Sequence, residues 1–137
     1  MIGNELYKKA LLLFCILLFK QYIFAQKQVE VIKAFQKGNI DIVNNNSIFP
    51  FSILNFGVDT IVNSNIEVRK KVISYCYNTI FKGSIKKGEI SKLNNREYIM
   101  TIIHISKNGE FESESTLIFS FIKKKGCYKL CSIMLTG

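Results

Sequence analysis

The sequence predicts an α+β fold, in which a curved antiparallel sheet has helices packed on one face as a cone-like α+β roll. Two runs, Tyr98–Ser106 and Phe111–Ile122, alternate apolar and polar residues around Asn108-Gly109, which is typical of a β-hairpin. A third such run, Cys127 to Leu135, follows a lysine-rich turn that ends in glycine. Helical apolar spacing occurs in two earlier segments. We therefore expect three long strands covered by helices.

A type I′ turn at Asn108-Gly109 would set the register of the hairpin. The predicted pairs are Ser106 with Phe111, His104 with Ser113, Ile102 with Ser115, Met100 with Leu117 and Tyr98 with Phe119. The face richer in large apolar side chains is predicted to be the core. Its members are Tyr98, Met100, Ile102, His104, Phe111, Leu117, Phe119 and Phe121, joined by Tyr128, Leu130 and Met134 from the third strand.

The opposite face of the predicted sheet is rich in isoleucine. It carries Ile99, Ile103, Ile105, Ile118 and Ile133 together with threonine and charged residues. A lone monomer seldom exposes so much aliphatic surface. The pattern predicts a partner surface, and a homodimer formed through this isoleucine-rich face is one expectation.

Residues 1–25 have the pattern of a signal peptide. Lys8-Lys9 precede ten apolar residues, Ala10 to Phe19, and Ala25 offers a small residue for cleavage. Ten residues are too few to cross a bilayer. We predict cleavage near Gln26, a single domain over residues 26–137, and a periplasmic or extracellular location. If the N-terminal segment is not cleaved, it is the part of the chain expected to associate with a membrane.

The domain is predicted to open with a helix over Gln26–Lys37 and a short helical turn over Ile40–Val43. Short edge strands are expected at Phe51–Leu54 and Val58–Val62, because Pro50 lacks the donor that an interior strand needs. The segment Gly83–Asn95 is expected to form a short helix or an irregular loop.

Ser64 and Glu67 form a capping-box pattern, which predicts the start of a second long helix. Its predicted buried stripe contains Ile66, Val72 or Ile73, Cys76, Tyr77 and Ile80, while Arg69, Lys70 and Lys71 are expected to face water. Lys82-Gly83 is predicted to end it, with the glycine in a left-handed cap.

The chain is basic, with 19 Lys and Arg against 10 Asp and Glu. Without the three lysines and one glutamate of residues 1–25, 16 basic and 9 acidic residues leave a net charge of +7. Because of this positive charge, an alternative function is the binding of a polyanion at the protein surface. Nucleic acid is not expected as a partner, because the lysines are scattered and Arg69 and Arg96 are the only arginines.

No cofactor or metal site is predicted. The cysteines after residue 25 are Cys76, Cys127 and Cys131, and the chain offers no nearby set of zinc ligands. Cys127 and Cys131 lie four residues apart on one strand, which is too far for a disulfide. We interpret the three as small buried hydrophobic residues.

The order of elements resembles that of the nuclear transport factor two-like group of α+β rolls, in particular its small exported bacterial members. An opening helix precedes Phe49-Pro50, and the helix Ile66–Phe81 leads into the segment Gly83–Asn95 and the long strands. Cystatin-like proteins share a helix wrapped by a curved sheet. The resemblance implies a pocket inside the cone and a range of roles, from isomerases and dehydratases to binding modules.

The candidate site lies on the predicted core face. His104, the sole histidine, has Ser113 and Ser115 beside it, and Tyr98 lies further along the same strand. We expect a non-catalytic module that binds a small ligand or a protein. The alternatives are a small hydrolase or isomerase that uses His104 as a base, and a polyanion-binding surface protein.

Overall fold

The computed structural model describes residues 2–81 and 85–136. Within these residues, three helices and six strands follow one another. They are α1 (Ile2–Gln36), α2 (Ile40–Asn45), β1 (Ser47–Leu54), β2 (Thr60–Val62), α3 (Ile66–Phe81), β3 (Ile85–Lys92), β4 (Glu97–Ile105), β5 (Phe111–Lys124) and β6 (Cys127–Thr136).

The strands form one open sheet in the order β2-β1-β6-β5-β4-β3. The three predicted long strands are confirmed as β4, β5 and β6. The sheet is mixed and not purely antiparallel as predicted, because β1 runs parallel to β6. The chain passes through α3 and four further strands between them, and such a long connection can bring two strands together in parallel.

Two strand predictions in the first half of the domain are wrong. β1 lies between β2 and β6, so it is an interior strand, and of the two predicted edge strands β2 alone lies at an edge of the sheet. Pro50 is tolerated there because the β1–β6 register shifts between Ser47 and Ser52. The segment predicted as a short helix or loop contains β3, which pairs with β4 along its whole length.

The hairpin of β4 and β5 has the predicted pairs from Tyr98–Phe119 to His104–Ser113. Its turn is not type I′, because only Gly109 has positive φ there. The Ser106 N–H donates to the Glu110 carbonyl at 2.8 Å, which closes a three-residue loop. Phe111 therefore pairs with Ile105 instead of Ser106 and is exposed, where the prediction had it in the core.

A bulge in β6 changes which of its side chains enter the core. Ser120 pairs with Ser132 and Phe121 with Leu130, so Cys131 is the extra residue. Beyond the bulge the alternation is reversed, and Ile133 is buried in the core while Met134 lies opposite Ile118. The predictions that Met134 faces the core and Ile133 faces away from it are wrong for this reason.

The core lies between the sheet and the helices on its one covered face. The C-terminal part of α1 supplies Val31, Ile32, Ala34 and Phe35, and α3 supplies Ile73, Cys76 and Ile80. The predicted helix over Gln26–Lys37 is confirmed as the end of α1, and that over Ile40–Val43 as α2. From residue 3 to residue 20 the side chains of α1 are exposed. Within the described residues, no helix combines the length and apolar character needed to span a membrane.

The start of α3 differs from the predicted capping box. The Asn65 side chain accepts a hydrogen bond from the Val68 N–H at 3.0 Å, so the cap is Asn65 and not Ser64. Ile73, Cys76 and Ile80 are buried as predicted. Ile66, the first residue of α3, is exposed, and Arg69, four residues before Ile73, lies on the buried stripe, contrary to both predictions. The predicted cap at Lys82-Gly83 lies outside the described residues.

Arg69 joins α3 to α2 and β1. Its Nε donates to Asn44 Oδ1 at 2.6 Å and its Nη2 to the Asn44 carbonyl at 2.7 Å, while its guanidinium lies 4.3 Å from the centre of the Phe49 ring. Burial lowers the pKa of Arg69. The Asn44 Nδ2 donates to the Ile66 carbonyl at 3.3 Å. This cluster fixes the first turn of α3 against α2.

We expect Arg69→Ala to lower the free energy of unfolding by about 2–4 kcal/mol, because two buried oxygens of Asn44 would lose their donors. Urea unfolding of the full-length chain measures the change. The control is Lys70→Ala, which removes an exposed ion pair with Asp41 (2.8 Å) and should leave stability close to that of the wild type. Equal effects of the two substitutions would contradict the assignment.

Candidate functional site

The structure brings His104 and Ser115 together. His104 Nε2 lies 3.1 Å from Ser115 Oγ, and the two residues are on neighbouring strands. His104 is half-buried, whereas its register partner Ser113 is exposed. Three of the four predicted site residues therefore lie at one end of the β4–β5 hairpin.

Tyr98 lies apart from this group. It is six residues from His104 along β4, which corresponds to about 20 Å. Tyr98 is buried, and its hydroxyl donates to Gln28 Oε1 at 3.0 Å while Gln28 Nε2 donates to the Asn95 carbonyl at 3.1 Å. Burial raises the pKa of Tyr98, and the nearby Tyr128 raises it to a smaller extent. Its hydroxyl thus joins α1 to the start of β4.

Apolar side chains fill the space between Tyr98 and His104. Met100, Ile102, Leu117 and Phe119 are all completely buried. The Phe35 ring packs edge-to-face on three others, with centroid distances of 5.4 Å to Phe119, 5.9 Å to Tyr77 and 6.1 Å to Phe81. The interior around Phe119 is therefore occupied by side chains. The proposed role of His104 in a hydrolase or isomerase stays a prediction.

An open groove of about 710 Å³ lies beside this core, between α1 and the edge strand β3. Its lining residues are Tyr22, Gln26, Val29, Lys33, Gln36, Gly88, Glu89, Ile90, Lys92 and Tyr98. Sequence reasoning missed it, because β3 was not predicted as a strand. The sequence of β3, IKKGEISK, has no clean alternation of apolar and polar residues, so no local signal marks this strand.

The outer face of the sheet retains part of the predicted isoleucine surface. We call Ile99, Ile103, Ile105, Ile118 and Ile122 the isoleucine face. Ile99 pairs with Ile118 across β4 and β5, and Thr101 pairs with Thr116 next to them. Ile103 is 37% exposed and Ile122 is 46% exposed. These side chains lie on the side of the sheet opposite the helices, with Glu114 opposite Ile103 and Lys129 opposite Ile122 in the strand register.

The cysteine side chains are free thiols. Cys76 is completely buried, and desolvation raises its pKa to about 12. Cys131, also with a raised pKa because of burial, donates to the Ser120 carbonyl at 3.3 Å. Raised pKa values disfavour the reactive thiolate. Within residues 2–81 and 85–136, no three His, Cys, Asp or Glu side chains come together as a metal site.

Three solved structures share the architecture described above. A designed protein of the NTF2 type has a TM-score of 0.51 and 13% identity over 82% of this chain and 96% of its own. A DUF4783 family protein from Bacteroides fragilis has a TM-score of 0.52 and 14% identity, covering 77% and 92% of the two chains. A domain of unknown function with a cystatin-like fold from Nostoc punctiforme has a TM-score of 0.50 and 15% identity, covering 83% and 74%.

The fold is that of the NTF2-like, cystatin-like group. This confirms the resemblance predicted from the order of elements. No family model and no curated protein sequence matches the chain. At 13–15% identity the similarity establishes the NTF2-like fold alone, and this fold hosts many functions.

We expect Tyr98→Phe to destabilise the protein by about 1–2 kcal/mol, because the buried Gln28 Oε1 loses its donor. Tyr75→Phe is the matched control. Its hydroxyl donates to the Phe56 carbonyl at 3.0 Å, but the side chain is 52% exposed, so water can replace it. Urea unfolding of both variants gives the comparison. A neutral Tyr98→Phe would show that the hydroxyl has no structural role and would return Tyr98 to the list of ligand-binding candidates.

Proposed function

We propose that this chain is an exported, non-catalytic binding module that acts through its outer surfaces. The observation behind this proposal is that side chains fill the interior. Ligand sites in proteins are usually concave cavities that enclose most of the ligand. Here Phe35, Phe119 and their neighbours occupy the space that the resemblance assigned to a pocket. Partners would therefore bind outside the core.

The first partner that we propose is a second copy of the chain, bound through the isoleucine face. The Ile99–Ile118 pair and the Thr101–Thr116 pair give this part of the sheet a surface of short, stiff side chains. Such side chains lose little conformational freedom when they become buried. Two-fold symmetric contact between like surfaces is the commonest way in which soluble chains pair.

We expect the wild-type chain to sediment as a dimer at tens of micromolar, and Ile103→Glu to sediment as a monomer, because a dimer would bury two added carboxylates in its interface. Sedimentation equilibrium of the full-length chain, in a nonionic detergent matched to the density of the buffer, measures both masses. Val58→Glu is the control, since Val58 is 72% exposed and lies outside the isoleucine face. A monomeric wild type would rule out this dimer.

Export is the second part of the proposal, and it depends on residues 1–25. The apolar side chains from Leu11 to Phe14 and from Ile16 to Phe19 are all exposed on α1, away from the core. Removal of this segment would therefore leave the core contacts of Val31, Ile32 and Phe35 intact. Such exposure is expected of a segment that an export system recognises.

We expect the chain recovered from outside the cytoplasm to begin at Gln26 or within a few residues of it. Mass spectrometry of the intact protein and N-terminal sequencing measure the cleavage position. A full-length chain in the membrane fraction would instead identify residues 1–25 as an uncleaved anchor. A full-length chain in the cytoplasm would refute export.

A further inference from the structure

We propose that the groove between α1 and β3 binds an acidic peptide in extended form, which adds to the sheet as a strand beside β3. β3 is the last strand in the sheet and pairs only with β4 in the described part of the chain. Alternate residues of an edge strand direct their backbone N–H and C=O groups away from the sheet. An extended peptide can pair with these groups, as in β-strand addition.

The groove has the shape that such a peptide needs. Gln26, Val29, Lys33 and Gln36 are spaced three or four residues apart, so they form one wall along a single side of α1. Gly88, Ile90 and Lys92 form the other side and share the sheet face with the core. The distance from Gly88 to Lys92 corresponds to about 13 Å of strand, which would accommodate about five peptide residues.

Gly88 allows α1 to lie close to β3. A Cβ atom at this position would lie 2.5 Å from Gln36 Nε2 and 3.2 Å from Met100 Sδ. Glycine within a strand often marks such a close approach. As a result the Gln36 amide lies over the backbone of β3, at the wall of the groove. Its donor and acceptor are placed where they can contact the side chains of an added strand.

The charges of the groove favour an acidic occupant. Lys33 on α1 and Lys92 on β3 are exposed at its two sides, against one carboxylate, Glu89. The β3 sequence IKKGEISK itself contains three lysines and one glutamate. Two copies of β3 paired edge to edge would bring these positive strands together, which disfavours self-pairing at this edge. Complementary charge therefore selects an acidic strand from a different protein.

Fluorescence anisotropy with labelled peptides tests the proposal on the full-length chain in nonionic detergent. A peptide of about six alternating Glu and Val residues should bind, and its Lys and Val counterpart should bind about tenfold more weakly or not at all. Absence of binding by the acidic peptide, or equal binding of the two, would overturn the proposal.

Two N-methylated forms of the acidic peptide test whether the backbone pairs with β3. Methylation of one alternate set of amides should abolish binding, because these N–H groups face β3, and methylation of the other set should be tolerated. Equal tolerance of both sets would show simple charge attraction and would overturn strand addition.

Lys92→Glu should weaken binding of the acidic peptide by about tenfold, and Lys33→Glu on the opposite wall provides a second, independent variant. Lys107→Glu is the matched control, because it makes the same change in net charge at the exposed β4–β5 turn. Circular dichroism verifies that each variant is folded. If Lys107→Glu weakened binding of the acidic peptide equally, the effect would come from the overall charge of the protein and not from the groove. Dimerisation through the isoleucine face is measured separately, so either proposal can fail alone.

Discussion

The packing of the Phe35 ring is the constraint on which the rest of the structure depends. This ring from α1 contacts Tyr77 and Phe81 of α3 and Phe119 of β5, so a single side chain joins both long helices to the sheet. Edge-to-face aromatic contacts have defined geometry and add to the gain from burial. These contacts therefore set the position of α1 across the sheet and also stabilise the fold.

That position determines where the molecule can interact with others. Because α1 packs on the sheet at Phe119, the space there is occupied by the chain's own side chains. The same helix also lies against the edge strand β3, and the groove runs between the two. The isoleucine face lies on the side of the sheet opposite the described helices. The two surfaces are thus separated by the thickness of the sheet.

Small local irregularities decide which predictions from the sequence hold. The hairpin of β4 and β5 could be predicted because alternation and Asn-Gly are local signals. The burial of Ile133 could not, because it follows from a bulge at Cys131 that exists only when β6 pairs with β5. Arg69 is a similar case, because its burial depends on contacts with Asn44 of α2 and Phe49 of β1, which lie far from it in the chain.

The sequence alone determined the α+β class, the three long strands, both long helices of the folded domain and most of the core face of β4 and β5. These depend on periodicity and turn residues, which act over a few positions. Tertiary structure alone decided the parallel pairing of β1 with β6, the strand β3 and the groove beside it. The physical reason is that these features depend on backbone pairing and packing between residues far apart in the chain, where no local pattern carries the information.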